Sequence, residues 1–317
     1  MAKKLLVADD DRTFHDMVSR IFRGAGWDVR AAGDGAEAYD LAAAEPPDVI
    51  LLDLHMPGLG GAELLGRLRR DARFAMTPII VVTGDADPRQ KAAGFLTGAD
   101  DYIAKPFDTL DLVSRVEGAA RRSRRMLAAN PLTFLPGGPT IEEEAAARIT
   151  SGAELAFFYI DIDNFKAFND NYGYLNGDNA IKRTGELLTD VQRAFPEGDV
   201  FVGHIGGDDF VLMARHTFAD RIAAEIIARF DALAPKFYNA ADRARGRLVS
   251  ADRMGKLRDF PLMTLTIAAA SNERRVLDHY AKIVDIASEI KKYLKGLKER
   301  AGSVYLKDRR GDQPPPR

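Results

Sequence analysis

The heptapeptide His204-Ile205-Gly206-Gly207-Asp208-Asp209-Phe210 sets two carboxylates beside two glycines. An adjacent acidic pair repels itself and gains nothing from packing, so a bound cation is one explanation and a solvated turn the other. A second acidic pair, Asp161 and Asp163, closes the apolar run Leu155 to Ile160. A third set is spread over the first third of the chain: Asp9-Asp10-Asp11, Asp53, Thr83 and Lys105. Clustered carboxylates suit Mg²⁺, which takes hard oxygen ligands and keeps waters for a phosphoryl oxygen, while a hydroxyl and an ammonium hold the remaining oxygens. With no cysteine in the chain, disulfides, thiolate metal sites and cysteine nucleophiles are excluded, and any metal must be held by oxygen or imidazole.

These residues need elements to bring them together. Short apolar strands at Leu5 to Ala8, Val49 to Leu52, Ile79 to Val82 and Tyr102 to Ala104 alternate with helical stretches. That alternation predicts a doubly wound parallel α/β sheet with its site at the carboxyl ends of the strands, where the third set stands. Asp108 to Leu127 is predicted as a helix ended by Asn130-Pro131, its terminal arginines suiting the helix dipole. Later, Leu155 to Ile160 is a buried strand that puts Asp161 and Asp163 on one side of the pleat. Val200 to Ile205 and Phe210 to Ala214 flank Gly206-Gly207 as a hairpin. Gly177-Asp178 is expected to open a helix running to Phe195. Asn169 and Asp178 complement the N1–H and amine edge of guanine, although a turn former and an N-cap are equally open to them.

At 317 residues the chain has room for about two domains. Its 45 Lys and Arg against 47 Asp and Glu leave no global field to attract nucleic acid or an anionic membrane. No apolar run approaches the ~20 residues of a membrane span, and the opening turns acidic too soon for a signal peptide. The expectation is a cytoplasmic protein with neither a DNA nor a membrane partner.

Asp9-Asp10, Leu52-Asp53-Leu54-His55-Met56-Pro57-Gly58, Val82-Thr83-Gly84 and Lys105-Pro106-Phe107 resemble the receiver domain of two-component response regulators, in its order and spacing. The resemblance implies a flavodoxin-like domain over 1–125 with Asp53 as phosphoacceptor, and Mg²⁺ on Asp9, Asp10, Asp53 and the His55 carbonyl. It also implies a switch through Thr83, Tyr102 and Lys105, a cognate histidine kinase, and pairing through Lys91, Asp100-Asp101 and Arg115. Glu117 and Leu96 depart from that pairing pattern.

Asn130-Pro131-Leu132-Thr133, Asp161-Ile162-Asp163-Asn164-Phe165-Lys166, Asn169-Asp170, Gly177-Asp178 and Gly206-Gly207-Asp208-Asp209-Phe210 resemble the GGDEF domain of diguanylate cyclases. That resemblance implies an α+β domain over 130–308, with a mostly antiparallel central sheet, joined by a linker helix over 108–130. Implied are GTP or cyclic di-GMP as ligand and Mg²⁺ on Asp161, the Ile162 carbonyl and Asp208. Asp161, Asp208 and Asp209 would be catalytic, with Phe165, Lys166, Asn169, Asp178, Gly206, Gly207 and Lys295 around the substrate. Two such domains in a homodimer would each present one GTP to the other.

Four departures from the family's pattern set a rival reading, a non-catalytic nucleotide sensor or phosphorylation-dependent docking module. Asp209 stands for Glu, Tyr174 for His, and the closing motif is altered around Lys291, Lys295, Arg300, Gly302 and Ser303. Glu197 and Val200 occupy the Arg and Asp positions of the product-inhibition site, so feedback there is not expected. Residues 236–260, rich in alternating charge, are expected to form an added solvated hairpin turning at Met254-Gly255. Ile283, Ile286, Ile290, Leu294 and Leu297 form a helical core stripe, and 309–317 a disordered tail.

Overall fold

A computed structural model of the chain describes residues 2–84, 98–251, 257–297 and 302–311. Lys91, Leu96, Met254-Gly255, Arg300 and the last part of the tail, named above, lie outside these residues. The chain divides into two units, Met1–Leu127 and Ala128–Arg317.

In the first unit the strands β1 (Lys3–Ala8), β2 (Trp27–Ala32), β3 (Val49–Leu52), β4 (Ile79–Thr83) and β5 (Asp101–Ala104) form one sheet in the order β2-β1-β3-β4-β5. All neighbours are parallel. Successive residues face opposite sides, so Val49 and Leu51 join one buried cluster and Ile50 and Leu52 the other. Apolar character on both faces explains why the strands are continuous hydrophobic runs rather than alternating ones. Helices α1 (Arg12–Gly24), α2 (Gly35–Ala44), α3 (Gly61–Arg70) and α4 (Thr109–Ala128) are described around the sheet. Asp11 caps α1 by accepting from the Thr13 N–H, so of the first three aspartates it is the one that serves the helix.

In the second unit the sheet runs β12 (Val304–Lys307), β11 (Thr264–Ser271), β6 (Ala156–Asp163), β8 (Asp209–Ala214), β7 (Phe201–Gly206). It is antiparallel except for the β11–β12 pair. Alternation again sorts the faces. Phe158, Ile160, Ile162, Phe210 and Leu212 meet the cluster that includes α7 (Tyr174–Ala194) and α8 (Ala219–Leu233). Phe157, Val211 and Met213 meet α10 (Tyr280–Lys295), which buries Ile283, Ile286, Ile290 and Leu294. Leu297, expected in that stripe, is 41% exposed, because the helix ends at Lys295 and its period stops there.

The segment expected as a hairpin over 236–260 begins differently. Asn239 caps a helix, α9 (Ala240–Arg245), by accepting from the Asp242 N–H at 2.8 Å, and Gly246 ends it with φ of 66°. Only then do β9 (Arg247–Ala251) and β10 (Leu257–Pro261) pair as an antiparallel ribbon. The segment is also anchored: buried Asp242 accepts from Tyr172 and Arg245, and Tyr238 packs edge-on against Phe168 at 5.1 Å. Nor does all of the tail run free, since Arg310 pairs with Asp308 and Glu289 at 2.8 Å each.

Gly61 sets the loop that follows β3. A Cβ there would lie 1.9 Å from the Asp53 carbonyl oxygen, a backbone atom that cannot swing aside. Gly61→Ala is expected to cost about 1–3 kcal/mol, read as a lower denaturation midpoint by circular dichroism.

Candidate functional site

Two carboxylate sites stand at strand ends, one in each unit. In the first, Asp9 follows β1 and Asp53 follows β3, with Asp53 N–H donating to the Ala8 carbonyl at 2.8 Å. Both side chains are buried, and Lys105 Nζ reaches each, at 2.6 Å from Asp9 Oδ2 and 3.0 Å from Asp53 Oδ2. The other oxygens accept backbone N–H groups, Asp9 from Asp11 and Asp53 from His55. Lys105 is held in turn by its N–H on the Thr83 carbonyl, 2.8 Å, and its ammonium lies 4.5 Å over the Phe14 ring.

Charge here is unbalanced. Burial pushes the Asp9 carboxyl up, with Lys105 and the Asp11 N–H pulling the other way. Burial pulls the Lys105 ammonium down, but its bonds to Asp9 and Asp53 outweigh that and hold it high. Two carboxylates against one ammonium leave a negative charge to spare, which fits a cation. Asp10 is exposed, Thr83 is buried, and burial raises the Tyr102 phenol. The charges expected to pair two chains are engaged within this one: Arg115 holds Asp101 and Asp111, and Asp100 holds Arg69. Glu117 accepts from Trp27 Nε1 at 2.7 Å and from Lys3 at 2.6 Å.

In the second unit Asp161 on β6 and Asp209 on β8 are directly paired in register. They lie on the face covered by α10. Like charges directly opposite repel. Lys291 resolves this, its Nζ lying 2.7 Å from Asp161 Oδ1 and 2.7 Å from Asp209 Oδ1. Lys295, one turn further on, sits 2.5 Å from Asp161 Oδ2. Both lysines follow directly on buried stripe positions, Ile290 and Leu294, which turns them toward the strand ends. Burial would raise the Asp161 carboxyl, but the two ammoniums reverse this and hold it low. Asp208 is relieved less: burial, then Asp161 and Asp209, push it up and outweigh a backbone hydrogen bond and the Lys295 ammonium. Three carboxylates against two ammoniums again fit a further cation, although no three acidic or imidazole side chains among the described residues converge as a ready cluster.

The turn itself is Gly207-Asp208, with Gly206 pairing Asp209 across a bulge after His204. Gly206 and Gly207 have φ of 151° and 58°, which explains both glycines. Sequence reasoning gave His204 no role, yet it is 1% exposed and bonded at both nitrogens. Nδ1 lies 2.9 Å from Thr133 Oγ1 and Nε2 3.0 Å from the Gly207 carbonyl, while the ring stacks on Phe210 at 4.3 Å. A neutral imidazole donating to that carbonyl and accepting from Thr133 satisfies both contacts.

Asn169 and Asp178 stand on neighbouring helices, α6 (Phe165–Tyr172) and α7. The second of these begins at Tyr174, capped by Gly173, so Gly177-Asp178 lies inside it rather than at its start. Gly177 is there for a tertiary reason: a Cβ would fall 1.6 Å from Asn169 Oδ1, which is itself buried with no partner. Asp178 and Lys166 are exposed, Phe165 is buried. A groove of about 530 Å³ adjoins, lined by Asp163, Asn164, Lys295 and, from the added segment, Gly246 and Pro261.

Burial holds His204 below its ordinary 6.5, so the unfolded chain takes up its proton first and stability falls as pH drops below 6.5. The second unit is expected to lose denaturation midpoint over that range, and His204→Phe to flatten the slope, in melts at stepped pH.

A model of the response regulator receiver domain matches residues 5–117, and one of the diguanylate cyclase GGDEF domain matches 131–248. The chain is 35% identical over 172 residues to the DNA-binding dual master transcriptional regulator RpaA of Synechocystis, covering 54% of this chain and 71% of that one. It is 38% identical over 123 residues to the DNA-binding response regulator MtrA of Mycobacterium tuberculosis, covering 39% of this chain and about half of the relative, 53%. A solved putative response regulator from Chloroflexus aurantiacus matches at 38% identity and a TM-score of 0.37, over 38% of this chain and 100% of that one. No helix among the described residues is long and apolar enough to cross a membrane. The chain belongs to the response regulators, with a receiver domain followed by a GGDEF domain of the diguanylate cyclase type.

Proposed function

We propose that a histidine kinase phosphorylates Asp53 and that this controls condensation of two GTP into cyclic di-GMP and two pyrophosphates by the GGDEF domains of a homodimer. The observation that carries the reading is the in-register pair Asp161 and Asp209 with Asp208 at the adjoining turn. Asp161, Asp208 and the Ile162 carbonyl would hold Mg²⁺, and in the receiver Asp9, Asp10, Asp53 and the His55 carbonyl would do so. When bound, Mg²⁺ supplies positive charge to phosphoryl oxygens. The DNA-binding in the relatives' names is theirs. We place this chain in the cytoplasm, with a nucleotide rather than DNA or a membrane as its partner.

The chain's own residues do the rest. Asn169 and Asp178 take the guanine edge, and the exposed Gly207 lets backbone approach the phosphates. Phe165 backs the site, while Lys166 and Lys295 offer ammoniums to the triphosphate. Asp209 takes the proton of the 3′-hydroxyl as its oxygen bonds the partner GTP's α-phosphorus and pyrophosphate departs. Positioning dominates such in-line transfer, and each domain holding one GTP makes the dimer necessary. In the receiver, Thr83 and Lys105 take the phosphoryl oxygens and Tyr102 follows the change.

One observation favours a second reading, a nucleotide-binding sensor without turnover: both Asp161 oxygens are engaged by ammoniums, Lys291 and Lys295. Asp209 is also a methylene shorter than Glu, and a 1 Å displacement can cost ~100-fold in rate. Purified protein with GTP and Mg²⁺, with and without beryllofluoride, decides between them. Cyclic di-GMP measured by chromatography and mass spectrometry is expected to rise with the mimic and to fall about 100-fold or more in Asp208→Ala. No product in either state, with the receiver shown to be loaded, leaves the sensor.

A further inference from the structure

Lys291 stands out among the groups around this site. It comes from the last third of α10, not from a loop, and contacts Asp161 Oδ1, Asp209 Oδ1 and the Tyr159 ring, 4.3 Å from Nζ. Its side chain is only 19% exposed. Burial opposes its charge, yet the two carboxylates outweigh this and hold the ammonium well above its usual range. Tyr159, Asp161 and Asp209 thus form a fitted seat for one cation, and the chain fills it. Lys295 differs: its side chain is 43% exposed, and among the described residues it pairs with Asp161 alone.

We infer that Lys291 is the resident counter-ion of this seat and that a divalent metal enters between Asp161 and Asp209 only by displacing it. This rests on the reading above that Asp161 holds a metal, and it adds Asp209 to the holders named there. The physical argument is charge and space. An ammonium 2.7 Å from each of two opposed carboxylates occupies the point where a shared metal would bond both. A metal arriving there meets a tethered cation whose effective concentration never falls. It must drive a four-carbon side chain out from under α10 while leaving Asp161 with Lys295. Lys291 is then a positioning residue: it holds Asp161 and Asp209 together until metal arrives with its nucleotide, and so makes metal entry conditional.

The test uses the full chain carrying Asp9→Asn and Asp53→Asn, which removes the receiver's metal site, and Mn²⁺ as probe, followed by electron paramagnetic resonance. Lys291→Met is expected to bind Mn²⁺ about tenfold or more tightly than the parent, and Lys291→Arg, which keeps the cation, to bind as weakly as the parent. Adding Asp209→Asn to Lys291→Met is expected to abolish the gain. Should Lys291→Met fail to fold, the parent suffices: amine acylation read by peptide mass spectrometry is expected to rise at Lys291 as Mn²⁺ is added, and Lys105 serves as internal reference. Equal Mn²⁺ affinity with and without Lys291, or acylation of Lys291 that stays flat while Mn²⁺ binds, overturns the inference. So does a second unit that binds no Mn²⁺ in any variant. GTP binding, followed separately by calorimetry, keeps the two questions apart: tighter Mn²⁺ without GTP binding upholds the counter-ion and sinks the cyclase, whereas GTP binding with Mn²⁺ indifferent to Lys291 does the reverse.

Discussion

A carboxylate drawn out of water at the end of a buried strand has to be answered by positive charge, and both units answer with lysine. In the first, Asp9 and Asp53 share the Lys105 ammonium; in the second, Asp161 and Asp209 share that of Lys291. The sheets are unrelated in topology, one parallel and one mainly antiparallel, so the likeness follows from charge rather than from fold. Each arrangement also leaves the site short by one positive charge, which makes it stable as it stands and receptive to a cation. What differs is the origin of the lysine. Lys105 follows a strand and is fixed by a backbone bond beside its carboxylates, whereas Lys291 reaches down from a helix whose placement depends on its buried aliphatic stripe.

Much of this was legible in the sequence where local pattern and tertiary role coincide. Asp9, Asp53, Thr83 and Lys105 stand beside strand ends that apolar runs announce, and the parallel fold brings Asp9, Asp53 and Lys105 together. Gly206-Gly207 announced the hairpin because the turn needs positive φ. What stayed hidden depends on partners far along the chain. Gly177 looked like a helix opening because glycine usually punctuates, but its lack of a side chain serves Asn169. His204 carries no sequence signal for its bonds to Thr133 and Gly207. Lys291 looked like one more departure in an altered motif, since only the register of α10 against β6 and β8 reveals where it points.

The added segment shows why charge patterning misled. Alternating Arg and Asp suggested a solvated ribbon; β9 and β10 do pair as one, but Leu248 is buried in the core and Phe260 packs against it. Its first third is held by residues of ordinary appearance: Asn239 as cap, Tyr238 against Phe168, and Asp242 drawing in Tyr172 and Arg245. Tyr172 closes the helix that carries Asn169, so the segment braces that helix and contributes Gly246 and Pro261 to the neighbouring groove.

The parallel strand β12 carries a consequence for biosynthesis. It pairs Val304 to Lys307 along Thr266 to Ala269, and so covers the outer edge of a strand whose residues 265 and 267–270 are buried and apolar. Every other strand of that sheet precedes it by more than thirty residues. While the nascent chain is emerging, β11 therefore presents an open apolar edge, the kind of surface that pairs with a neighbouring chain. The family model ends at residue 248, well before that edge is sealed. Proteolysis or premature termination just before Val304 would thus yield a chain that has nearly all of its core and a template for aggregation along one side.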